Sequence, residues 1–331
     1  MLNPPALLRV DIVIPVYNEE KVVAGFHRQL CQAIDCLPYA FTLFYVNDGS
    51  HDQTQALLEG FAAADERVVV IEFSRNFGHQ AALTAGLDQA KGDYVITMDS
   101  DGQHPPEMLA PMLDLARSGY DVVLTQRVEE EGIPAFKRWT SAQFYRLLNR
   151  ISDTSVTPGS ADFRLLSRPV VEAMRSMREY HRFLRGMVAW SGFRTVILPF
   201  KPPLRMAGES KYSFKKMLQL SMDAIFSFSL FPLYVAISVG VGFLFLALVE
   251  MIYVLSFWIS GNTGRLAPGW SSLMFMLLLV GGSLMVFLGF LGIYVGYIFQ
   301  EVKRRPIYIV RRRLASQEDY QPQPAVDDAH A

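Results

Sequence analysis

Two uninterrupted apolar segments constrain this chain more than anything else in it. Ile225–Ser260 carries one formal charge, at Glu250, and Trp270–Gln300 carries none. A helix needs about 20 apolar residues to cross a bilayer, so each segment is long enough, with residues to spare for tilt. A pair of buried helices in a soluble core is the weaker alternative. Between the two lies a short turn, GNTGRLAPG, whose only charge is Arg265. Basic residues sit outside the pair, as Lys211, Lys215 and Lys216 before it and as the run from Lys303 to Arg313 after it. Positive charge flanking both outer ends predicts a two-span hairpin with both ends in the cytoplasm. Trp258, Trp270 and Tyr297 fall where an aromatic belt would lie. Glu250, inside the first span, is expensive to place there and is read as structural, snorkelling or meeting another subunit.

The N-terminal residues MLNPPALLRVDIVIP carry prolines and an acid where the apolar core of a signal peptide would run. The preceding two hundred residues are therefore expected on the cytoplasmic side. They alternate two kinds of pattern. Short apolar runs (VDIVIPVY, FTLFYVND, VVVIEFS, DYVITMDSD and YDVVLTQ) are separated by helical stretches at Glu19–Leu37, Asp52–Ala64, Gln80–Ala90 and from Pro106 onward. This alternation predicts an α/β domain with a parallel sheet covered on both faces. Ligands on such sheets bind beyond the C-terminal strand ends, where Tyr17–Glu19, Asp48–Ser50, Arg75–Gly78 and Asp99–Gln103 fall. Two further stretches read as basic amphipathic helices suited to an anionic membrane surface. In Phe136–Ile151, Arg138, Arg146 and Arg150 oppose Phe144, Leu147, Leu148 and Ile151, and packing on the domain's own core is an equal alternative. In the second, Phe214, Met217, Leu218 and Ile225 form the apolar stripe. From Ala315 the tail is polar and proline-bearing, and is expected to be disordered.

The net charge of -1 over 331 residues gives no reason to expect nucleic acid as a partner. Cys31 and Cys36 have no companion cluster, so a zinc site is not expected and reduced thiols are. The strongest chemical signal is Asp99-Ser100-Asp101-Gly102-Gln103 after the apolar run YVITM. Two carboxylates one residue apart at a strand end can reach a common point, and Mg²⁺ is typically held by one or two carboxylates plus substrate phosphates. A capped turn is the alternative for an isolated Asp-x-Asp. Pro15-Val16-Tyr17-Asn18-Glu19 and Asn47-Asp48-Gly49-Ser50 offer a ring, carboxylates and backbone amides to a base and ribose. Read singly, each is equally an N-cap or an Asp-Gly turn. No GxxxxGK[ST] motif is present, and no GxGxxG follows the first strand.

Together these motifs resemble glycosyltransferase family 2, in the branch of dolichol-phosphate mannose synthases and bacterial undecaprenyl-phosphate glucosyltransferases. The resemblance runs from VDIVIPVYNE through SRNFGHQAALTAGLDQAKGDYVITMDSDGQHPPE to the final hairpin. GSADFRLLSR (159–168), RFLRGMVAWSGF (182–193) and RMAGESKYSF (205–214) are closest to the glucosyltransferase type. It implies a GT-A domain, Rossmann-like and of the nucleotide-diphospho-sugar transferase kind, over residues 1–210. After it would come a juxtamembrane helix (211–226), two membrane helices (227–300) and a basic segment with its tail (301–331). It also implies inverting transfer of a sugar, glucose from UDP-glucose in the first instance, to a polyprenyl phosphate. N-acetylglucosamine, galactose and mannose from GDP-mannose remain alternatives. Pro15, Tyr17, Glu19 and Asp48 would hold the nucleotide, Asp99 would approach the ribose, and Asp101 and Gln103 would bind Mg²⁺ or Mn²⁺. Asn47 departs from the acid common at its position in relatives and would weaken a base or ribose contact.

Arg127, Arg205, Ser210 and Lys211 are candidates for phosphate contacts at donor or acceptor. For 205–212 a solvated basic loop is the alternative. Asp162 and Arg164 lie in a polar stretch between helices and are either functional or a surface ion pair. Asp162 is either a general base or a group that orients a cation. His104, before a proline, reads as loop structure. Partners are thus a nucleotide-sugar, a polyprenyl phosphate and the bilayer. Gly281, Gly282, Gly289, Gly292 and Gly296 would also permit close helix packing in a homo-oligomer. A processive polysaccharide synthase is a poorer match, because Ala135 stands where its Gln-x-x-Arg-Trp motif has Gln before Arg138-Trp139. A non-catalytic scaffold or lipid-carrier translocation partner would have no use for an intact DSDGQ.

Overall fold

The computed structural model describes residues 7–128, 160–180, 182–201, 231–261 and 269–315. Four strands with nearly continuous apolar character form the centre of one sheet. These are β1 (Arg9–Val16), β2 (Ala40–Asn47), β3 (Val68–Phe73) and β4 (Tyr94–Thr97), all mutually parallel in the order β4-β1-β2-β3. Seven of the eight residues of β1 are buried, as a strand covered on both faces requires. On one face Val10, Ile12, Ile14 and Val16 of β1 join Phe26, Leu30 and Ile34 of α1 (Val23–Ile34), Leu58 of α2 (Thr54–Ala64) and Met112 of α4 (Leu109–Arg117). On the other lies α3 (His79–Gln89), whose residues Ala81 to Leu87 are all buried. It approaches so closely that a Cβ on Gly86 would collide with Val13.

The sheet has eight strands and is mixed, where the sequence pattern predicts it parallel. Its full order is β7-β5-β6-β4-β1-β2-β3-β8. Strand β6 (Ser160–Ser167) runs antiparallel between β4 and β5 (Val122–Arg127), and β7 (Thr195–Phe200) lies parallel outside β5. Asp162 and Arg164 are therefore on a buried strand and not in a polar link between helices. The charged residues alternate with Ala161, Phe163 and Leu165, which the core takes. Two short helices follow β6: α5 (Arg168–Ser176) and α6 (Leu184–Trp190).

The far edge is closed by β8 (Val310–Leu314), antiparallel to β3. Its arginines are not only a basic flank: Arg311 pairs with Glu72 at 3.2 Å, and Arg312 with Glu72 at 3.3 Å and with Glu59. Just before it Tyr308 stacks on Phe73 and donates its hydroxyl to Asp88 at 2.9 Å. That carboxylate also takes Arg178 at 3.1 Å.

The chain divides into two units, one of residues 1–149, 154–213 and 306–331, the other of 150–153 and 214–305. In the second, the described residues form α7 (Phe231–Ile259, 29 residues) and α8 (Trp270–Val302, 33 residues). Leu279–Val302 of α8 is long and apolar enough to cross a membrane, while the apolar stretch of α7 that stands out, Leu233–Phe243, is shorter. Among the described residues one helix thus meets both conditions of a span. The amphipathic segments at 136–151 and 211–226, the turn with Arg265 and the tail from residue 316 lie outside the described residues.

Two glycines separate backbone constraint from helix propensity. Gly49 has φ +67°, and a Cβ there would lie 2.6 Å from the carbonyl carbon of Arg75. Gly60 sits inside α2 with nothing near it. Gly49→Ala should destabilise the protein by about 1–3 kcal/mol, whereas Gly60→Ala should stabilise it by about 0.5–1 kcal/mol. Thermal unfolding of the two variants in the same detergent would check both signs.

Candidate functional site

The C-terminal ends of β1 to β4 lie side by side, and the loops after them are bonded to one another. In the first loop the amides of Asn18, Glu19 and Glu20 donate to Ser50 Oγ (3.0 Å), Thr54 Oγ1 (2.9 Å) and Asp52 Oδ2 (3.2 Å) of the second. The amides of His51 and Gln53 return bonds to Asn18 Oδ1 and Glu20 Oε2. Buried Asn47 accepts from the amide and hydroxyl of Ser50 and donates to Gln55. Of these, only the bond to Gln55 needs an amide where a carboxylate would otherwise stand. Asp48 accepts from the amides of Phe77 (2.6 Å) and Gly78 (2.9 Å), fixing the third loop to the second. Burial pushes its carboxyl above the ordinary range, and those two amides oppose the shift. Tyr17 is partly exposed, and the Pro15 carbonyl takes the Ser100 hydroxyl at 3.4 Å.

The fourth loop carries the acidic motif. Asp101 Oδ1 accepts the Gln103 amide at 2.9 Å, and Gly102 takes φ +79°. The Gln103 side-chain oxygen is buried and has no hydrogen-bond partner. An unpartnered carbonyl oxygen two residues along the loop from a partly exposed carboxylate suits a hard divalent cation, which takes oxygen ligands. Among the described residues no group of three His, Cys, Asp or Glu side chains is arranged to hold a metal ion by itself. The residues present thus fit an ion whose shell substrate phosphates and water would complete. His104 is buried against Phe163, with ring centroids 5.0 Å apart, and its Nδ1 accepts the Asp99 amide at 2.8 Å. Burial holds this imidazole below its ordinary pKa, so it is a neutral brace for the loop.

Asp99 and Asp162 each face cations. Asp99 Oδ1 lies 2.8 Å from Nε2 of His79, the first residue of α3. Partial burial works against a charged imidazole, but the Asp99 carboxylate outweighs it and pushes the His79 pKa up to about 9. Asp162 is clasped from two sides. Arg164 reaches it along β6, and Arg185, from the first turn of α6, gives Nε to Oδ1 at 3.0 Å and Nη2 to Oδ2 at 2.9 Å. Burial alone would raise this carboxyl, yet Arg164 and Arg185 hold it far below the usual carboxylate range. The backbone of the same residue is fixed too, its carbonyl accepting Thr97 Oγ1 at 2.5 Å. Arg127 ends β5 close enough for its charge to act on His104, together with those of Asp99, Asp101 and Asp162.

The described residues therefore bring Asp99, Asp101, Gln103, Arg127 and Asp162 into one neighbourhood, with Pro15 at the end of β1 and Tyr17, Glu19 and Asp48 on the adjoining loops. Arg205, Ser210 and Lys211 lie outside the described residues. Sequence reasoning missed His79 and Arg185. His79 was signalled by its place directly after Gly78 at the head of a helix following a strand. No local signal marks Arg185, whose partner is 23 residues away on another element.

Residues 11–175 match the model of a family described as Glycosyl transferase family 2. The uncharacterized glycosyltransferase YkcC of Bacillus subtilis (strain 168) is 40% identical over 310 residues, covering 92% of this chain and 94% of that protein. The SfII prophage-derived bactoprenol glucosyl transferase of Shigella flexneri is 36% identical over 309 residues, covering 92% of this chain and 98% of that one. Among solved structures, mannosyl-3-phosphoglycerate synthase from Rubrobacter xylanophilus is similar at TM-score 0.48 and 17% identity, over 66% of this chain and 72% of that one.

Removing the Asp162 charge leaves Arg164 buried without its counterion, so Asp162→Asn should cost about 3 kcal/mol or more near neutrality. A carboxyl whose folded pKa is depressed stabilises above its unfolded value and loses that contribution as pH falls. The stability gap between wild type and Asp162→Asn should stay constant from pH 8 to 5 and shrink below about pH 4, the unfolded carboxyl range. Denaturant titrations across that range would measure it.

Proposed function

This chain belongs to glycosyl transferase family 2 and is a glycosyltransferase. From that premise we propose that it transfers glucose from UDP-glucose to undecaprenyl or another polyprenyl phosphate, with inversion at the anomeric carbon. Relatives named bactoprenol glucosyl transferase support that acceptor and that sugar, since they match this chain over 92% of its length. The observation that carries the chemistry is the pairing of Asp162 with Arg164 and Arg185. A carboxylate held ionised by two guanidiniums is a poor base, and a phosphate acceptor needs none. Its second pKa is about 6, so near neutrality it arrives largely without a proton to remove.

In this reading a phosphate oxygen attacks the anomeric carbon as the bond to the nucleotide breaks, and the nucleoside diphosphate leaves with that bond's electrons. Pro15, Tyr17, Glu19 and Asp48 frame the base and ribose, and Asp99 lies toward the ribose. Asp101 and Gln103 would hold Mg²⁺ or Mn²⁺, which when bound offsets the charge gathering on the diphosphate. Arg127, Arg205, Ser210 and Lys211 supply phosphate contacts, and Asp162 orients cations. Bringing two anions together is the demanding part, and it calls for fixed positive charge.

The apolar stretch in α8 supports attachment to a membrane. We extend this to a hairpin of both helices in the cytoplasmic membrane, with residues 1–210 facing the cytoplasm and the lipid phosphate reached from that side.

Purified full-length protein should form polyprenyl-phosphoglucose from undecaprenyl phosphate and labelled UDP-glucose, and do so faster than with UDP-N-acetylglucosamine, UDP-galactose or GDP-mannose. Asp101→Asn should lower the rate by about a hundredfold or more without unfolding the protein, and EDTA should stop the reaction. No lipid-linked product with any of the four donors would refute the assignment. Full activity in EDTA would refute the metal.

A further inference from the structure

The segment that follows α8 reaches the loop that holds Asp48 through a line of aromatic rings. Tyr308 stacks on Phe73, the last residue of β3, with centroids 5.2 Å apart and planes 10° from parallel. Phe73 is 1% exposed and meets Phe77 edge to face, at 5.7 Å and 90°. Phe77 belongs to the third loop, and its amide is one of the two that occupy the Asp48 carboxylate. The backbone follows the same course, because the amide of Ser74, which opens that loop, donates to the carbonyl of Ile309 at 3.0 Å. On its other side the loop closes on Gly49, where a Cβ would lie 2.6 Å from the carbonyl carbon of Arg75. The tyrosine is itself anchored. Its hydroxyl donates to Asp88 Oδ2 at 2.9 Å, an oxygen that also takes Arg178. Burial and the charge of Asp88 raise the phenol's pKa, so the group stays a neutral donor.

Resting on the proposed reaction, in which Asp48 frames the nucleotide, we propose that Tyr308 is a positioning residue for the donor, holding residues 74–78, and through Phe77 the Asp48 carboxylate, in the shape that the nucleotide meets. It touches no reacting atom. Stacked and edge-to-face pairs are directional, so the place of Phe77 follows from where Tyr308 holds Phe73. Ring and hydroxyl have separate tasks. The ring sets the loop, and the hydroxyl ties the ring to α3. When the hydroxyl is removed Arg178 still pairs with Asp88, and a phenyl ring keeps its face on Phe73. A residue that only closed the edge of the sheet would affect stability alone.

The test is UDP binding by titration calorimetry with Mg²⁺ present, together with steady-state transfer, on the full-length protein in detergent. Tyr308→Leu should weaken UDP binding and raise the UDP-glucose KM, each by about threefold to tenfold, the range for one lost aromatic pair. The KM for a short-chain polyprenyl phosphate should not move. Tyr308→Phe should lower the thermal midpoint, through loss of a hydrogen bond to a charged group, yet bind UDP as the unaltered protein does. If Tyr308→Leu does not unfold cooperatively, Tyr308→Met carries the comparison. It keeps apolar contact with Phe73 without a flat face, and should still weaken UDP binding about threefold. Unchanged UDP affinity in a folded leucine or methionine variant, or donor and acceptor KM raised alike, would overturn the positioning role and leave the proposed reaction standing. An unaltered protein that neither binds UDP nor transfers glucose would overturn the reaction reading, and this role with it.

Discussion

A carboxylate between two guanidiniums, Asp162 with Arg164 and Arg185, is the contact around which the catalytic end of this molecule is built. Arg164 is 2% exposed, and a buried cation without a partner would be among the costliest defects a fold could carry. Asp162 answers it, and in doing so joins three elements. It belongs to β6, it draws in α6 through Arg185, and its carbonyl takes the Thr97 hydroxyl at the end of β4. The acidic loop that starts after Thr97 is thereby set against a fixed electrostatic background. In the proposed reaction the same contact argues against a general base, because a carboxylate stabilised this strongly does not accept a proton near neutrality.

Around that point the other strand ends are locked by backbone donors. Asp48 spends both oxygens on amides of the third loop, Asn47 folds its own turn, and Gly49 permits a close approach that no other residue would. Helix α3 is fixed at both ends. Its first residue meets Asp99, while Asp88 near its last turn takes Tyr308 and Arg178, and Arg175 bonds the carbonyls of Leu87 and Ala90. Residues that follow the long apolar helix in sequence are thus built into the catalytic domain as strand β8.

What the sequence revealed follows from how local each signal was. The strands β1 to β4 and helices α1 to α3 are legible because each carries its own apolar run or face. The Asp99–Gln103 loop is legible because it sits at a strand end. Strand β6 was hidden, since its charges at 162 and 164 read as polar surface until Arg185 is known to meet them. Strand β8, VRRRL, was hidden likewise, because its arginines find Glu59 and Glu72 some 240 residues earlier. The antiparallel insertion of β6 was not foreseen, because it depends on a pairing between distant segments and not on periodicity within either.

In the proposed reaction the site supplies fixed positive charge to an acceptor already ionised, and no base. The direct measurement is the rate of transfer from UDP-glucose to a short-chain polyprenyl phosphate between pH 6 and 9, for wild type and Asp162→Asn. With no base in the reaction, both profiles should rise through the acceptor's second pKa, about 6, and then run flat in parallel, the variant lower by a constant factor. An Asp162→Asn defect that disappears as pH rises toward 9 would show instead that Asp162 removes a proton.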